Sequence, residues 1–199
     1  MIEIIDYGLG NIDAFYNIYK RLNIDVEVAR DKDTLLRADK IILPGVGAFD
    51  YAIECLNLSG MRQTLEDLVL KDKVPVMGIC VGMQIMAKCS EEGVAEGLGW
   101  FDAEVLKFDD KSLLVPEMGW NSVEHNDNVI FEGMDEHPRF YFLHSYYFKC
   151  HNDGDVIGTS DYGSTFASAV NSGNIYGIQF HPEKSHSNGV RLLENFAKL

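Results

Sequence analysis

Cys80 lies in Gly78-Ile79-Cys80-Val81-Gly82, between an apolar run at 74–79 and a segment of helical patterning from about 81 to 88. Glycines on both sides of a nucleophile at this spacing suit a sharp strand-to-helix elbow. Such a turn holds the reactive side chain in a strained backbone conformation. The glycines let the helix approach neighbouring strands, and the helix N-terminus favours a thiolate by its dipole. On the pentapeptide alone a buried packing cysteine fits as well, since cysteine is among the most buried residue types. His181-Pro182-Glu183 follows a second apolar run, at 176–180. Residues two apart on an extended segment face the same side. Glu183 is therefore expected to orient His181, and His181 to act as base toward Cys80. Pro44-Gly45-Val46-Gly47 follows a third run, at 40–43. Backbone N–H groups around Val46 and Gly47, together with that of Val81, could receive a developing oxyanion. By itself this loop reads as a plain strand-to-helix turn.

These segments need a scaffold that brings strand ends together. The first half alternates strand patterns at 2–6, 26–29, 40–43 and 74–79 with helix patterns at 11–22, about 32–37, 48–57, 61–71 and 81–88. That alternation predicts a parallel sheet with helices on both faces and an active site at its carboxyl edge. In the helix at 11–22, Ile12, Phe15, Tyr16 and Tyr19 form one stripe. The second half is rich in aromatic and β-branched residues, which predicts strands near 101–108, 112–116, 139–150, 155–161, 165–171 and 174–180. A last helix is predicted over 187–197, with Val190, Leu193 and Phe196 periodic. The expected fold class is α/β, an open and mostly parallel central sheet flanked by helices with an antiparallel extension, as a single domain over 1–199. Gly8-Leu9-Gly10 does not complete a dinucleotide fingerprint, because Asp13 stands where the third glycine belongs. It predicts a tight turn, with Asn11 capping the helix.

Composition narrows the function classes. Seventeen Lys and Arg against 31 Asp and Glu give a formal charge of −14 over 199 residues. Such a surface repels phosphate backbones and anionic membranes, so neither nucleic acid nor a membrane is expected as a partner. The opening MIEIID lacks the basic and apolar regions of a secretory leader, and no apolar run approaches the ~20 residues of a membrane span. A cytoplasmic location with reduced thiols is expected. Cys55, Cys80, Cys89 and Cys150 form no CxxC pair, and no cluster has metal-ligand spacing, so neither a metal nor another cofactor is expected. Cys55, Cys89 and Cys150 are assigned to packing. His125, His137, His151 and His186 are assigned to solvent, and His144 to an aromatic, strand-like segment.

GICVGMQ at 78–84, PGVGAF at 44–49 and HPEKS at 181–185 resemble the triad-type, class I glutamine amidotransferases. Within that class, DYGLGN at 6–11, MGWN at 118–121 and FLHSYY at 142–147 resemble the glutaminase-subunit family of imidazole glycerol phosphate synthases, over essentially the whole chain. The resemblance implies a flavodoxin-like fold. It implies that Cys80 attacks the side-chain amide of glutamine, giving a γ-glutamyl thioester and ammonia, while His181 moves the proton and Glu183 orients it. It implies substrate contacts from Gln84, Glu92, Ser145 and Tyr146. It also implies a heterodimer with a HisF-like (β/α)8-barrel synthase subunit, which receives the ammonia for histidine biosynthesis, with Asn11, Trp120 and Lys184 near that partner.

The chain departs from this pattern at three places. Glu117 replaces a usual His at a position resembling a partner contact, Asp13 stands where Arg is common, and Val81 replaces a more usual Leu. An anion at 117 would change the electrostatic match to the partner. HisH-like paralogues that resemble this variant supply ammonia for amidination of bacterial surface sugars, which is the alternative destination. A free-standing cysteine hydrolase, such as a γ-glutamyl peptidase, would lack MGWN and DYGLGN. A non-enzymatic interaction subunit would not need the elbow, His181 and Glu183 together. Gly45 and Gly47 would make a peptide flip in the oxyanion loop inexpensive.

Overall fold

The structure is a computed structural model that describes residues 1–108 and 113–199. Strands β1 (Ile2–Ile5), β2 (Val26–Ala29), β3 (Lys40–Gly45) and β4 (Val76–Cys80) alternate with helices α1 (Ile12–Arg21), α2 (Lys32–Leu35), α3 (Phe49–Leu58) and α4 (Arg62–Glu66). The last of these continues as a π-helical turn over Asp67–Lys71. Next come α5 (Val81–Gln84), β5 (Cys89–Ser90), β6 (Ala103–Lys107), β7 (Glu117–Ser122) and β8 (Glu124–His125). The chain then forms β9 (Arg139–His144), β10 (Tyr146–Cys150), β11 (Val156–Asp161), β12 (Thr165–Ser172), β13 (Ile175–Ile178) and α6 (His186–Ala197).

The main sheet runs β2-β1-β3-β4-β13-β12-β10-β6-β5, with β11 and β8 added beside β12. From β2 to β13 every pairing is parallel. Beyond β13 the pairings with β12, β10 and β6 are antiparallel. All residues of β1, β4 and β13 are buried. That is why, apart from Glu3 in β1, these strands read as continuous apolar runs rather than alternating ones: helices cover both faces. On α1, Phe15, Ile18 and Tyr19 face the core while Lys20 and Arg21 occupy the last turn, where the helix dipole favours cations. The expected fold class is the one observed.

Four local expectations are corrected. The helix predicted over 81–88 stops at Gln84. The Met86 and Ala87 N–H groups bond only three residues back, to Met83 and Gln84, and the Lys88 N–H leaves the helix for the Ala103 carbonyl, while the carbonyls of Ile85, Met86 and Ala87 accept from a returning loop at 98–100. The strand predicted over 139–150 splits at Ser145: β9 pairs with β7 in a small second sheet, and β10 joins the main sheet through β6. No strand covers 113–116, and residue 112 lies outside the described residues; the strand begins at Glu117 instead. Asn11 stands at the N-cap of α1, but its side chain makes no capping bond.

Glu3 is a polar residue in the middle of β1, fully buried, and neither carboxylate oxygen has a hydrogen-bond partner. Burial, reinforced by Glu27 across the strand pair, pushes its pKa up from 4.5 to about 7. A carboxyl whose pKa is raised by folding subtracts stability once it ionises, so the penalty grows as pH rises from the unfolded value through about 7. Glu3→Gln is therefore expected to gain on the wild type with rising pH, by on the order of 2 kcal/mol above neutrality. Urea denaturation of both proteins on the acid and alkaline sides tests this; a stability gap that does not change with pH would refute it.

Candidate active site

The carboxyl ends of β3, β4 and β13 converge. Gly45 at the end of β3 stands in register with Cys80 at the end of β4. Cys80 has φ 55° and ψ −113°, a left-handed backbone in a residue that is not glycine, and this conformation aims its side chain out of the turn. The elbow closes because side chains are missing around it. A Cβ on Gly82 would lie 1.9 Å from the Leu43 carbonyl oxygen, and one on Gly45 would lie 2.3 Å from the Gly82 nitrogen. The glycine spacing read from the sequence thus serves close helix-to-strand approach.

His181 follows β13 and is tied to β9, its N–H donating to the Tyr141 carbonyl at 2.8 Å. Ser185 locks this turn: its Oγ donates to the His181 carbonyl at 2.6 Å and accepts from the Tyr141 N–H at 3.0 Å. Helix α6 seats against the same turn, where Gly189 meets Pro182 with no room for a Cβ. Glu183 Oε1 lies 2.9 Å from His181 Nδ1, and both side chains are almost fully buried. His181 and Cys80 line the same cavity, close enough for each to act on the other, and with Nδ1 on Glu183 the free ring nitrogen is Nε2. Burial alone would lower the imidazole pKa. Hydrogen bonds and charge from Cys80 and Glu183 outweigh it and push the pKa up to about 10. A protonated imidazole beside the sulfur is the counter-ion a thiolate needs.

A cavity of 270 Å³ opens at this point. Val46, Gly47, Cys80, Val81, Gln84, Glu92, Ser145, Tyr146, His181 and Lys184 all line it, so ten expected residues share one wall. Glu92 also accepts from the Phe49 N–H at 2.8 Å and so anchors the start of α3 just after the oxyanion loop. Asp50 of α3 accepts in return from the Val94 and Ala95 N–H groups. The helix at Cys80 is a single turn, so the dipole expected to favour a thiolate is short; what surrounds the sulfur comes mainly from side chains.

The glutamine amidotransferase class-I family model matches residues 3–199.

The chain belongs to the class I glutamine amidotransferase family.

Among curated relatives it is 54% identical, over all of both chains, to the imidazole glycerol phosphate synthase subunit HisH of Bdellovibrio bacteriovorus. It is 52% identical, again over both full lengths, to the protein of that name from Leptospira interrogans. Among solved structures, a glutamine amidotransferase crystal structure superposes with a TM-score of 0.76 at 20% identity, covering 100% of this chain and 99% of the other, a likeness of fold.

Of the residues expected at a partner face of this amidotransferase, Lys184 lines the cavity, and Trp120 and Asn11 are accessible elsewhere on the surface. Lys184 is exposed, with its ammonium 5.6 Å from the centre of the Tyr141 ring. Trp120 is 39% exposed and stacks on His186. Asn11 is exposed at the start of α1. Glu117 corrects the expectation made for it. It is 4% exposed, points inward, and its Oε2 lies 3.0 Å from His144 Nε2 in an ion-pair contact poorly aligned for a hydrogen bond. Its other oxygen accepts from Asn121 Nδ2 at 2.8 Å. The pair forms because Glu117 and His144 are directly opposed between β7 and β9. The carboxyl group is buried against His144 and Asn121 rather than presented at the surface.

Sequence reasoning passed over His144, which lines the cavity, and Gln179, which is fully buried between Gln84 and Cys80. The signal for Gln179 was present: it is a polar residue inside an apolar run ending at His181. Cys89, assigned to packing, is exposed. No helix among the described residues is long and apolar enough to cross a membrane.

Proposed function

We propose that this amidotransferase is the glutaminase subunit of an imidazole glycerol phosphate synthase and that Cys80 is its nucleophile. The observation that carries the chemistry is the convergence of Cys80, His181–Glu183 and the Gly45–Gly47 turn on one cavity of 270 Å³. That volume lies just below the ~300–1,000 Å³ typical of drug-sized ligands and suits one amino acid. The pathway assignment is supported by full-length relatives at 54% and 52% identity that carry the name of that subunit.

In this reading the Cys80 sulfur, as thiolate, attacks the side-chain carbonyl carbon of glutamine. The N–H of Val81 and those around Val46 and Gly47 receive the oxyanion. The proton on His181 Nε2 passes to the leaving nitrogen, the C–N bond breaks, and ammonia departs from a γ-glutamyl thioester. His181 then takes a proton from water, whose oxygen attacks the thioester. Collapse expels the thiolate and leaves glutamate. Glu183 holds the imidazole orientation throughout. Gln84 Oε1 and Glu92 provide acceptors for the α-ammonium group of the substrate, and Ser145 and Tyr146 border its carboxylate.

The ammonia acceptor is a (β/α)8-barrel cyclase subunit in a heterodimer. Leu114, Val115, Met118 and Trp120 are 84%, 39%, 64% and 39% exposed, an apolar strip beside Pro116 of the cavity wall and suited to such docking. Because Glu117 is paired internally, the electrostatic reason for a different partner falls away. The test is ammonia release from glutamine by the chain alone and with the cognate cyclase subunit and its nucleotide substrate. Hydrolysis is expected to rise by more than about tenfold on addition, a coupling of over 1 kcal/mol. Full activity without any partner would point to a free-standing hydrolase and end this reading.

A further inference from the structure

We propose that Gln179 is a positioning residue for the nucleophile: its side-chain N–H holds the Cys80 sulfur, and Gln84 holds Gln179 from the wall of the substrate cavity. The inference rests on the reading of Cys80 as nucleophile. Gln179 follows β13 and has no solvent exposure. A buried primary amide must find partners on both of its ends. Its Oε1 accepts from Gln84 Nε2 at 3.0 Å, and its Nε2 faces Cys80 Sγ at 3.8 Å.

The orientation of both amides follows from one fixed group. Gln84 Nε2 also lies 3.0 Å from the Tyr146 carbonyl, which can only accept. The nitrogen of Gln84 is therefore on this side, and its second hydrogen is free for Gln179. Gln179 must then present its oxygen to Gln84 and its nitrogen to the sulfur. The Tyr146 carbonyl accepts as well from His144 Nδ1 at 2.8 Å, so the acceptor at the head of the chain is itself held.

The direction of this chain matters for Cys80. An N–H aimed at sulfur favours the thiolate over the thiol. A second polar atom near Sγ, the Leu143 carbonyl oxygen at 3.9 Å, can only accept and favours the thiol. With α5 a single turn long, Gln179 provides a fixed donor in addition to His181. Gln84 spends both hydrogens inward and keeps its oxygen for the cavity it lines. A ligand that engages this oxygen thereby steadies the amide gripping the sulfur.

The test is the pH profile of iodoacetamide alkylation at Cys80, followed by mass spectrometry of its peptide in the full chain. Gln179→Met removes the donor at nearly constant volume. Gln179→Glu keeps an acceptor for Gln84 and sets an acceptor against the sulfur. The titratable groups around the sulfur are His181 with Glu183, Tyr7, and His144, Tyr146, Glu92 and Lys184 on the cavity wall, with Glu117 behind His144. All are unchanged in both variants. The alkylation midpoint is expected to rise by about one pH unit in Gln179→Met and further in Gln179→Glu. In the presence of the partner, kcat is expected to fall about tenfold, with KM within about threefold of wild type. If Gln179→Met does not fold, Gln179→Leu, which also lacks a donor and adds no charge, supplies the same readout, with melting curves reported for each. An unchanged midpoint with a raised KM would make Gln179 a packing residue behind Gln84 and overturn the proposal. Failure of wild-type Cys80 to react ahead of the exposed Cys89 would instead sink the nucleophile reading itself.

Discussion

Cys80→Ala is expected to lower glutamine hydrolysis by at least about 10⁴-fold, because no other group in the cavity can form the thioester. The fold should survive the change. Only the sulfur is lost, and the backbone at this residue stays in its left-handed conformation, φ 55°. Glycine is the residue that adopts such a conformation without strain. Cys80→Gly is therefore expected to be equally inactive yet at least as stable as Cys80→Ala, by about 1 kcal/mol. Ammonia release in the partner complex and urea denaturation of the free chain measure the two effects. Residual activity within tenfold of wild type in Cys80→Ala would remove Cys80 from the chemistry. A glycine variant clearly less stable than the alanine variant would show that the turn is not strained.

Gly82→Ala is expected to damage both stability and activity. Its Cβ would stand 1.9 Å from the Leu43 carbonyl oxygen and 3.1 Å from the Pro44 carbonyl carbon. These are backbone atoms of a strand paired on both edges, so they cannot yield as a flexible side chain would. Helix α5 must lift away from β3, and Val81 and Cys80 move with it. A loss of about 3 kcal/mol or more is expected, as for other forced overpacking in a core. Gly60→Ala is the comparison. Gly60, unlike Gly82, has a positive φ, 71°, with open space around it, so about 1 kcal/mol from backbone strain alone is expected there. Denaturation midpoints that fall equally in the two variants would show that close approach at Gly82 is not what the elbow requires.

The parallel half of this amidotransferase was legible in its residues because the signals are local. Runs such as 41–43 and 74–79 are apolar at every position, as suits strands buried on both faces, and the strands at 26–29 and 40–45 form where the pattern places them. The elbow was legible for the same reason: glycines around a cysteine report a local steric need, and the contacts of Gly82 and Gly45 show that need met. The pairing of His181 with Glu183 follows from a separation of two residues along one turn.

Other features depend on partners distant in sequence, and no local pattern contains them. Helix α5 ends early because the Lys88 N–H is drawn to the Ala103 carbonyl and a loop at 98–101 bonds the residues that follow the helix. The segment at 139–150 divides because its halves find edges in different sheets. Glu117 faces inward because β9 sets His144 against it, although its place beside MGWN suggested a surface contact. Gln179 reaches the sulfur across 99 residues of chain. The sequence by itself thus determined ten of the residues that line the cavity. The tertiary structure decided how they are held, since hydrogen bonds and charge pairs form only once strands far apart in the chain lie side by side.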